Sequence, residues 1–262
     1  GETNPERLTR DLMVWQENPI VKIFRDHRPG PPLQELRAFA ARNEKESVQM
    51  VVLARRDVSM TVAVQSPVHT TGYRLPEVTV ARVGYVPVDH VSAFFRGETT
   101  RAERVLPQGS PISDGWVGWW PDPLLPLHGP VAMIAGQVQP LWLTFSIPED
   151  APAGDYRGVV TLASEGGTEE IPIQLTVWDF DLPTAPRLTA LFDLREGPGW
   201  HFLTSSKRRA WLRFMADHRL CVDQILPAPV MRLEDGQVHL DTAEFDQAAA
   251  WCFDDLGMRT AY

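Results

Sequence analysis

The sequence predicts an all-β sandwich over residues 1–183 followed by an incomplete α/β region over residues 187–262. Three observations carry that division. Leu141, Leu143, Phe145 and Ile147 alternate with Trp142, Thr144 and Ser146, and Ile171, Ile173, Leu175 and Val177 alternate with Pro172, Gln174 and Thr176. A two-residue period of this kind belongs to strands with one buried face. Proline supplies 23 of the 262 residues, nearly twice the usual share of about 5%, which favours short strands punctuated by turns over a helical bundle. Beyond Pro186 the apolar period changes to strand–helix alternation.

Between the two alternating segments lies a third strand, 156–163. The connection 148–154 is rich in Pro, Asp and Gly, and Glu165-Gly166-Gly167 tolerates positive φ. Three consecutive antiparallel strands joined by tight turns are therefore expected. The ladder should end over residues 178–183, because Pro183 and Pro186 donate no backbone hydrogen bond.

Taken from the start, Val14-Trp15 and residues 20–24 are short apolar pieces separated by Asn18-Pro19 and the breaker Pro29-Gly30-Pro31-Pro32, which read as edge strand and loop. Asn43-Glu44-Lys45-Glu46 offers two acids for chemistry, or a polar turn at a sandwich edge whose Glu and Gln side chains satisfy backbone groups. The turn is favoured, since polar residues that introduce an apolar strand are what turns and edges require. Val48, Met50, Val52 and Ala54 alternate with Gln49, Val51 and Leu53, as in a strand covered on both faces. After a turn near 68–72, residues 78–88 supply one or two more strands.

Residues 89–139 read as one long irregular section, and loops of that length are usually functional or packed on a neighbour. Within it Trp116, Trp119 and Trp120 offer flat indoles for stacking on sugar rings. Their closeness to three prolines favours packing instead. Asp122, between Pro121 and Pro123, is expected to make a structural hydrogen bond.

In the α/β region, residues 188–194 form a strand and Gly197-Pro198-Gly199 a loop. A helix follows from about Ser206, on which Trp211, Phe214, Met215 and His218 share a face. Residues 221–226 are the next strand. A hairpin turn is expected at Asp235-Gly236, then a helix capped by Asp241 with Glu244 three residues on. Phe245, Ala248, Ala249, Cys252 and Leu256 fall on its buried stripe and Gly257 ends it. Two consecutive βα units imply a parallel, right-handed layout, as at the start of a (β/α)8 barrel.

A net charge of -9 argues against nucleic acid as the main partner, since neutralising phosphates calls for a basic excess. Cys221 and Cys252 are too few for a disulfide framework or a zinc site and read as packed thiols. No metal or cofactor is expected. No run approaches the roughly 18 apolar residues of a membrane helix. No signal peptide is visible, yet the sequence begins at Gly1 rather than Met, which is compatible with a removed leader. The compartment stays open, with a secreted or periplasmic location favoured over the cytoplasm. Oligomeric state is not legible.

Three blocks carry a resemblance. The first is LWLTFSIPEDAPAGDYRGVVTL continuing to PIQLTVWDFDLP. The second is Asn43, Glu44, Glu46, Ser47 and Gln49 ahead of a strand, and the third is VGYVPV with WPDPLLP. Together they resemble bacterial proteins of the glycoside hydrolase 123 type and their relatives. The resemblance implies an N-terminal β-sandwich followed by a (β/α)8 barrel, a carbohydrate partner, and exo-acting hydrolysis of β-linked N-acetylgalactosamine by substrate assistance. In that mechanism the 2-acetamido oxygen attacks the anomeric carbon, an Asp orients it, and an adjacent Glu is the acid/base.

No Asp-Glu dipeptide occurs in the sequence. A barrel needs roughly 250 residues and about 75 are present, so the chain is expected to be the N-terminal portion of a longer enzyme, inactive alone, with the catalytic pair downstream. No catalytic residue is assigned. Strand ends at the C-terminal face of a barrel form its active-site rim, which makes Asp193, Arg195, Glu196, Trp200 and His201 the substrate-binding candidates, with Pro227 to Met231 after the second strand. Asp193 and Glu196 suit sugar hydroxyls and Trp200 a stacking wall, while a lone His201 is the weakest. The alternative function is a non-catalytic carbohydrate-binding or structural sandwich module.

Overall fold

The computed structural model describes residues 11–88, 118–185, 187–188, 190–192 and 205–259. The chain divides into two compact units, Gly1–Asp181 and Leu182–Tyr262. Among the described residues, the first contains two five-stranded sheets. One runs in the order β1 (Leu12–Glu17), β3 (Glu44–Ala54), β8 (Val138–Ile147), β5 (Thr79–Val88), β6 (Gly118–Pro126). The other runs β2 (Leu36–Arg42), β10 (Gly167–Asp181), β9 (Gly154–Ser164), β4 (Val58–His69), β7 (Val131–Met133).

The alternation read from the sequence is what builds the core between the sheets. Leu141, Leu143, Phe145 and Ile147 from β8 meet Ile171, Ile173, Leu175 and Val177 from β10, with Met50, Val52, Leu36, Tyr156, Val160 and Leu162 filling the same cluster. β3 is covered on both faces, as its composition requires. Val48, Met50 and Val52 enter the main core, and Val51 enters a second cluster with Trp15, Ile23 and Val138. The 18–33 segment covers this second face closely enough that a Cβ on Gly30 would lie 2.6 Å from the Trp15 ring. That approach leaves room only for glycine.

Four expectations need correction. β8 and β9 do not pair. β8 lies between β3 and β5, so the 148–153 connection carries the chain from one sheet to the other, and only β9 and β10 form the expected hairpin. A two-residue period fixes which side chains are buried but is silent about which sheet a strand joins. The second sheet is not wholly antiparallel, because β2 pairs parallel with β10. Residues 118–126 and 131–133, expected to be irregular, are strands. β6 keeps Pro121, Pro123 and Pro126 because it lies at a sheet edge, where missing N–H donors cost no ladder bond. Finally, β3 is an interior strand, so the polar Asn43–Glu46 segment is a corner between sheets and not an edge. Asn43 alone, at φ 57°, turns β2 into β3, a conformation Asn tolerates better than most residues.

In the second unit, β11 (Leu191–Phe192) and β12 (Cys221–Val222) pair in parallel through α1 (Ser205–Asp217). Both strands are shorter than the expected 188–194 and 221–226, and residues 193–194 lie outside the described ones. α1 buries Leu212 and Met215. Of the four residues expected to share a face, Met215 is buried, while Trp211, Phe214 and His218 are exposed, with Phe214 in ring contact with both Trp211 and His218.

The Asp235-Gly236 turn closes β13 (Val230–Glu234) on β14 (Gln237–Asp241), with φ 51° and 77° at the two central residues, the two-residue loop such strands favour. α2 (Ala243–Ala250) is preceded by Thr242 at the N-cap, not Asp241. Asp241 still accepts the Ala243 N–H at 3.2 Å, and the Thr242 hydroxyl donates to Asp246 at 2.8 Å. The helix continues as a π-helical turn, Trp251–Asp255, and terminates at Gly257, φ 66°. Its stripe of Phe245, Ala248, Ala249, Cys252 and Leu256 packs on Cys221, Val222 and Met215 as expected.

Candidate functional site

Asp193, Arg195, Glu196, Trp200 and His201 lie outside the described residues, as does Trp116. What remains of the expected rim is the chain after β12. Asp223, which sequence reasoning passed over, follows that strand directly and donates its backbone N–H to the Phe192 carbonyl at 3.2 Å. Pro227 to Met231 are exposed, and Val230 and Met231 have already entered β13.

Trp119 and Trp120 sit on β6 and are held from the 22–25 segment. Arg25 lies 4.7 Å over the Trp119 ring, and Phe24 meets Trp120 edge-on at 5.3 Å. Lys22 donates to Asp122 at 3.3 Å and to the Pro121 carbonyl at 3.1 Å, which gives Asp122 the structural bond expected of it. These contacts make both rings part of the packing of the first unit, although Trp119 remains 45% exposed.

Among the described residues, polar and aromatic groups converge on a cleft of about 630 Å³ beside the edge strands β1 and β2, lined by Glu17, Arg37, Phe39, Glu44, Glu46 and Trp178, among others. The Gln16 side chain fastens its floor, accepting the Arg37 N–H at 2.9 Å and donating to the Arg37 carbonyl at 2.7 Å. A side chain that pairs with both backbone groups of an edge residue blunts that edge against strand addition. Glu35 holds Arg37 at 3.1 Å and Arg157 at 2.6 Å.

The aromatic wall of the cleft follows from strand alternation. Trp178-Asp179-Phe180-Asp181 ends β10, with the two rings on one side and the two carboxylates on the other. Phe39 and Trp178 line the cleft and Phe180 extends them beyond it into a row of nearly parallel rings, with centroids 6.3 and 5.8 Å apart, each about half exposed. On the opposite side Arg42 donates to Asp181 and to Asp179, the latter at 2.8 Å, and these hydrogen bonds, that to Asp181 foremost, raise the Arg42 pKa. This fork ties the end of β10 to the β2–β3 corner and so fixes the strand that carries the rings.

The acidic wall belongs to the corner itself. The Glu44 carboxylate accepts the Ala41 N–H at 2.6 Å. Glu46 is half-buried, and burial pushes its carboxyl pKa up, reinforced by the nearby Glu44 charge and opposed by a hydrogen bond from the Ser47 backbone. Gln49, a fully buried polar side chain, donates to the Asn18 and Val21 carbonyls at 3.2 and 3.1 Å. The Asn43–Gln49 phrase is thus a set of backbone anchors around a corner, with Glu46 left facing the cleft. Among the described residues no group of three or more His, Cys, Asp or Glu is placed to hold a metal ion, and no helix is long and apolar enough to cross a membrane.

A family model described as the glycoside hydrolase 123 N-terminal domain matches residues 22–164, more than half of the chain. The chain belongs to that family. The matched segment runs from the cover of the second cluster to the end of β9, and so includes the β2–β3 corner. Among solved structures, the chain is similar to a family 123 glycoside hydrolase from Clostridium perfringens, described for hydrolysis of glycolipid glycans. The TM-score is 0.60 at 12% identity, over 88% of this chain and 42% of that one. That likeness shows a shared fold, and the chain spans well under half the length of that enzyme. The CooA pilin subunit from enterotoxigenic Escherichia coli (11% identity, TM-score 0.32, 66% of this chain and 99% of that one) is far more distant. So is a PapD-like domain of human CEP192 (10%, 0.30, 69% and 92%). No curated protein sequence matches this chain.

Proposed function

We propose that this glycoside hydrolase fragment is the N-terminal portion of a β-N-acetylgalactosaminidase. In this reading residues 1–183 are its β-sandwich domain, and residues 187–262 supply the first two βα units of a (β/α)8 catalytic barrel. The family match over residues 22–164 is the observation that carries the reading. The parallel β11–α1–β12 unit supports its second half, because parallel strands joined through a helix are the repeating element of such barrels.

The reaction proposed is hydrolysis with retention in two steps. The substrate's acetamido oxygen attacks the anomeric carbon as the glycosidic C–O bond breaks, and the leaving oxygen takes a proton from a Glu. Water then attacks the anomeric carbon, the bond from that carbon to the acetamido oxygen breaks, and the Glu carboxylate takes a proton from the attacking water. Because the substrate supplies its own nucleophile, this differs from the usual scheme of two enzymic carboxylates. The adjacent Asp and Glu it requires are sought downstream of residue 262. Asp193 and Glu196 are proposed as hydroxyl partners and Trp200 as a stacking wall, with Arg195 and His201 as further binding candidates of the same pocket.

The test uses the protein extended through a full barrel. It should release the aglycone from a chromogenic β-N-acetylgalactosaminide with retained anomeric configuration, and a thiazoline analogue of N-acetylgalactosamine should inhibit it. Inversion of configuration, or turnover that the thiazoline leaves untouched, would contradict substrate assistance.

A further inference from the structure

The cleft beside β1 and β2 is lined by residues of the first unit and by none of those proposed for the hydrolysis. We propose that it binds the end of a neutral, hydroxyl-rich oligosaccharide, with Trp178 and Phe39 as the apolar wall and Glu46, Glu44 and Arg37 as the polar partners.

The volume, about 630 Å³, falls in the range of small-molecule sites. Half-exposed indole and phenyl rings suit the C–H faces of pyranoses, which are apolar surfaces edged by hydroxyls. The opposite wall is rich in acceptors. Glu17, Glu44 and Glu46 outnumber the single cationic donor Arg37, and carboxylates accept strong hydrogen bonds from pairs of donors. Sugar hydroxyls and acetamido N–H groups are such donors. The same surplus of negative charge disfavours sialylated or sulphated glycans through like-charge repulsion.

Placement is fixed in advance of binding. The Arg42 fork to Asp179 and Asp181 holds the ring-bearing end of β10, and the Gln16 clamp on Arg37 holds β2. Glu44 keeps one oxygen on the Ala41 N–H, which orients its carboxylate. Rings and acceptors that need no rearrangement lose less freedom when a flexible glycan docks.

The test is binding of the intact 262-residue chain, multimerised on streptavidin, to an array of neutral oligosaccharides ending in galactose, N-acetylgalactosamine, N-acetylglucosamine, glucose, mannose or fucose. Sialylated and sulphated counterparts, and a set of lysine-rich peptides, are printed beside them. The expected result is retention of one or more neutral glycans over their anionic counterparts. Trp178→Ala and Glu46→Gln should each weaken that retention by about tenfold, and Trp119→Ala should leave it unchanged. Unfolding of each variant is measured in parallel, and Phe39→Ser replaces Trp178→Ala should the latter fail to fold. Retention of no neutral glycan, retention indifferent to both wall and carboxylate variants, or preference for anionic glycans or basic peptides would overturn the proposal. Hydrolysis by the extended protein is unaffected by any of these outcomes, so the two readings fail separately.

Discussion

Gln49 is the residue through which the Asn43–Gln49 phrase acts on the fold, and replacing it by methionine tests that role at nearly constant volume. In the native chain its side-chain amide donates to two main-chain carbonyls of the 18–33 segment, Asn18 at 3.2 Å and Val21 at 3.1 Å, from a site 3% exposed. Met keeps the packing and removes both donors. The Asn18 carbonyl retains the Val21 N–H at 2.9 Å, so its loss is one ordinary bond, about 1 kcal/mol. Leaving the Val21 carbonyl without the amide costs at least as much, about 1 kcal/mol or more for a part-buried acceptor. The sum is about 2 kcal/mol. For a unit of this size that corresponds to a fall of roughly 4–8 °C in melting temperature. Gln49→Ala adds a cavity and should cost about 3–4 kcal/mol. Urea unfolding followed by the far-UV strand signal reads both. A Gln49→Met variant within about 0.5 kcal/mol of the parent would refute the anchoring role and return the phrase to the list of candidate chemical groups.

Three further outcomes follow from the same geometry. Burial pushes the Tyr156 phenol up to about 12 from an ordinary 10. The folded state therefore holds that proton more tightly than the unfolded chain, and stability should fall by about 1.4 kcal/mol per pH unit between those values. Tyr156→Phe should lessen that alkaline slope while costing about 1 kcal/mol at neutral pH for the lost bond to the Pro152 carbonyl, and an unchanged slope in a pH series of melts would contradict it. Glu46 has a folded-state pKa raised above its ordinary 4.5, so its penalty is absent at low pH and appears as pH rises through that region. Glu46→Gln should accordingly match the parent in acid and exceed it in stability at neutral pH; a variant less stable at pH 7 would speak against this. On Gly158 a Cβ would lie 2.6 Å from the Gln65 carbonyl oxygen and 3.2 Å from Pro67, where β4 bulges against β9. Gly158→Ala should cost about 1–3 kcal/mol, and an unchanged melting temperature would show that the bulge yields freely.

Much of the fold was legible because it depends on local chemistry. The two-residue period gave the inward faces of β8 and β10, the Asp235-Gly236 pair gave the second hairpin, and the apolar stripe of α2 packs as its spacing requires. What escaped was partnership. Nothing local says that the chain crosses between sheets at 148–153, or that β2 lies parallel to a strand far downstream. β6 was hidden by its prolines, which an edge position tolerates. The exposed row on α1 shows the limit of a helical period, which marks an apolar face without saying whether anything covers it.

The site divides in the same way. Alternation in Trp178-Asp179-Phe180-Asp181 predicts rings on one side and acids on the other, but only pairing of β2 with β10 brings Phe39 beside Trp178. The Asn43–Gln49 phrase reads as a polar turn from composition alone, and only the strand order makes it a corner between sheets and not an edge. That Glu46 faces a cleft while Glu44 and Gln49 bind backbone depends on distances no sequence period encodes.

The most direct measurement of the central claim, that these residues are scaffold and binding surface while the acid/base pair of the hydrolase lies elsewhere, is turnover by the 262-residue chain itself. Purified and incubated with a chromogenic β-N-acetylgalactosaminide, it should release no aglycone above the rate in buffer, in keeping with a sequence that contains no Asp-Glu dipeptide. Release that is abolished by a single substitution of an Asp or Glu within the chain would contradict the account.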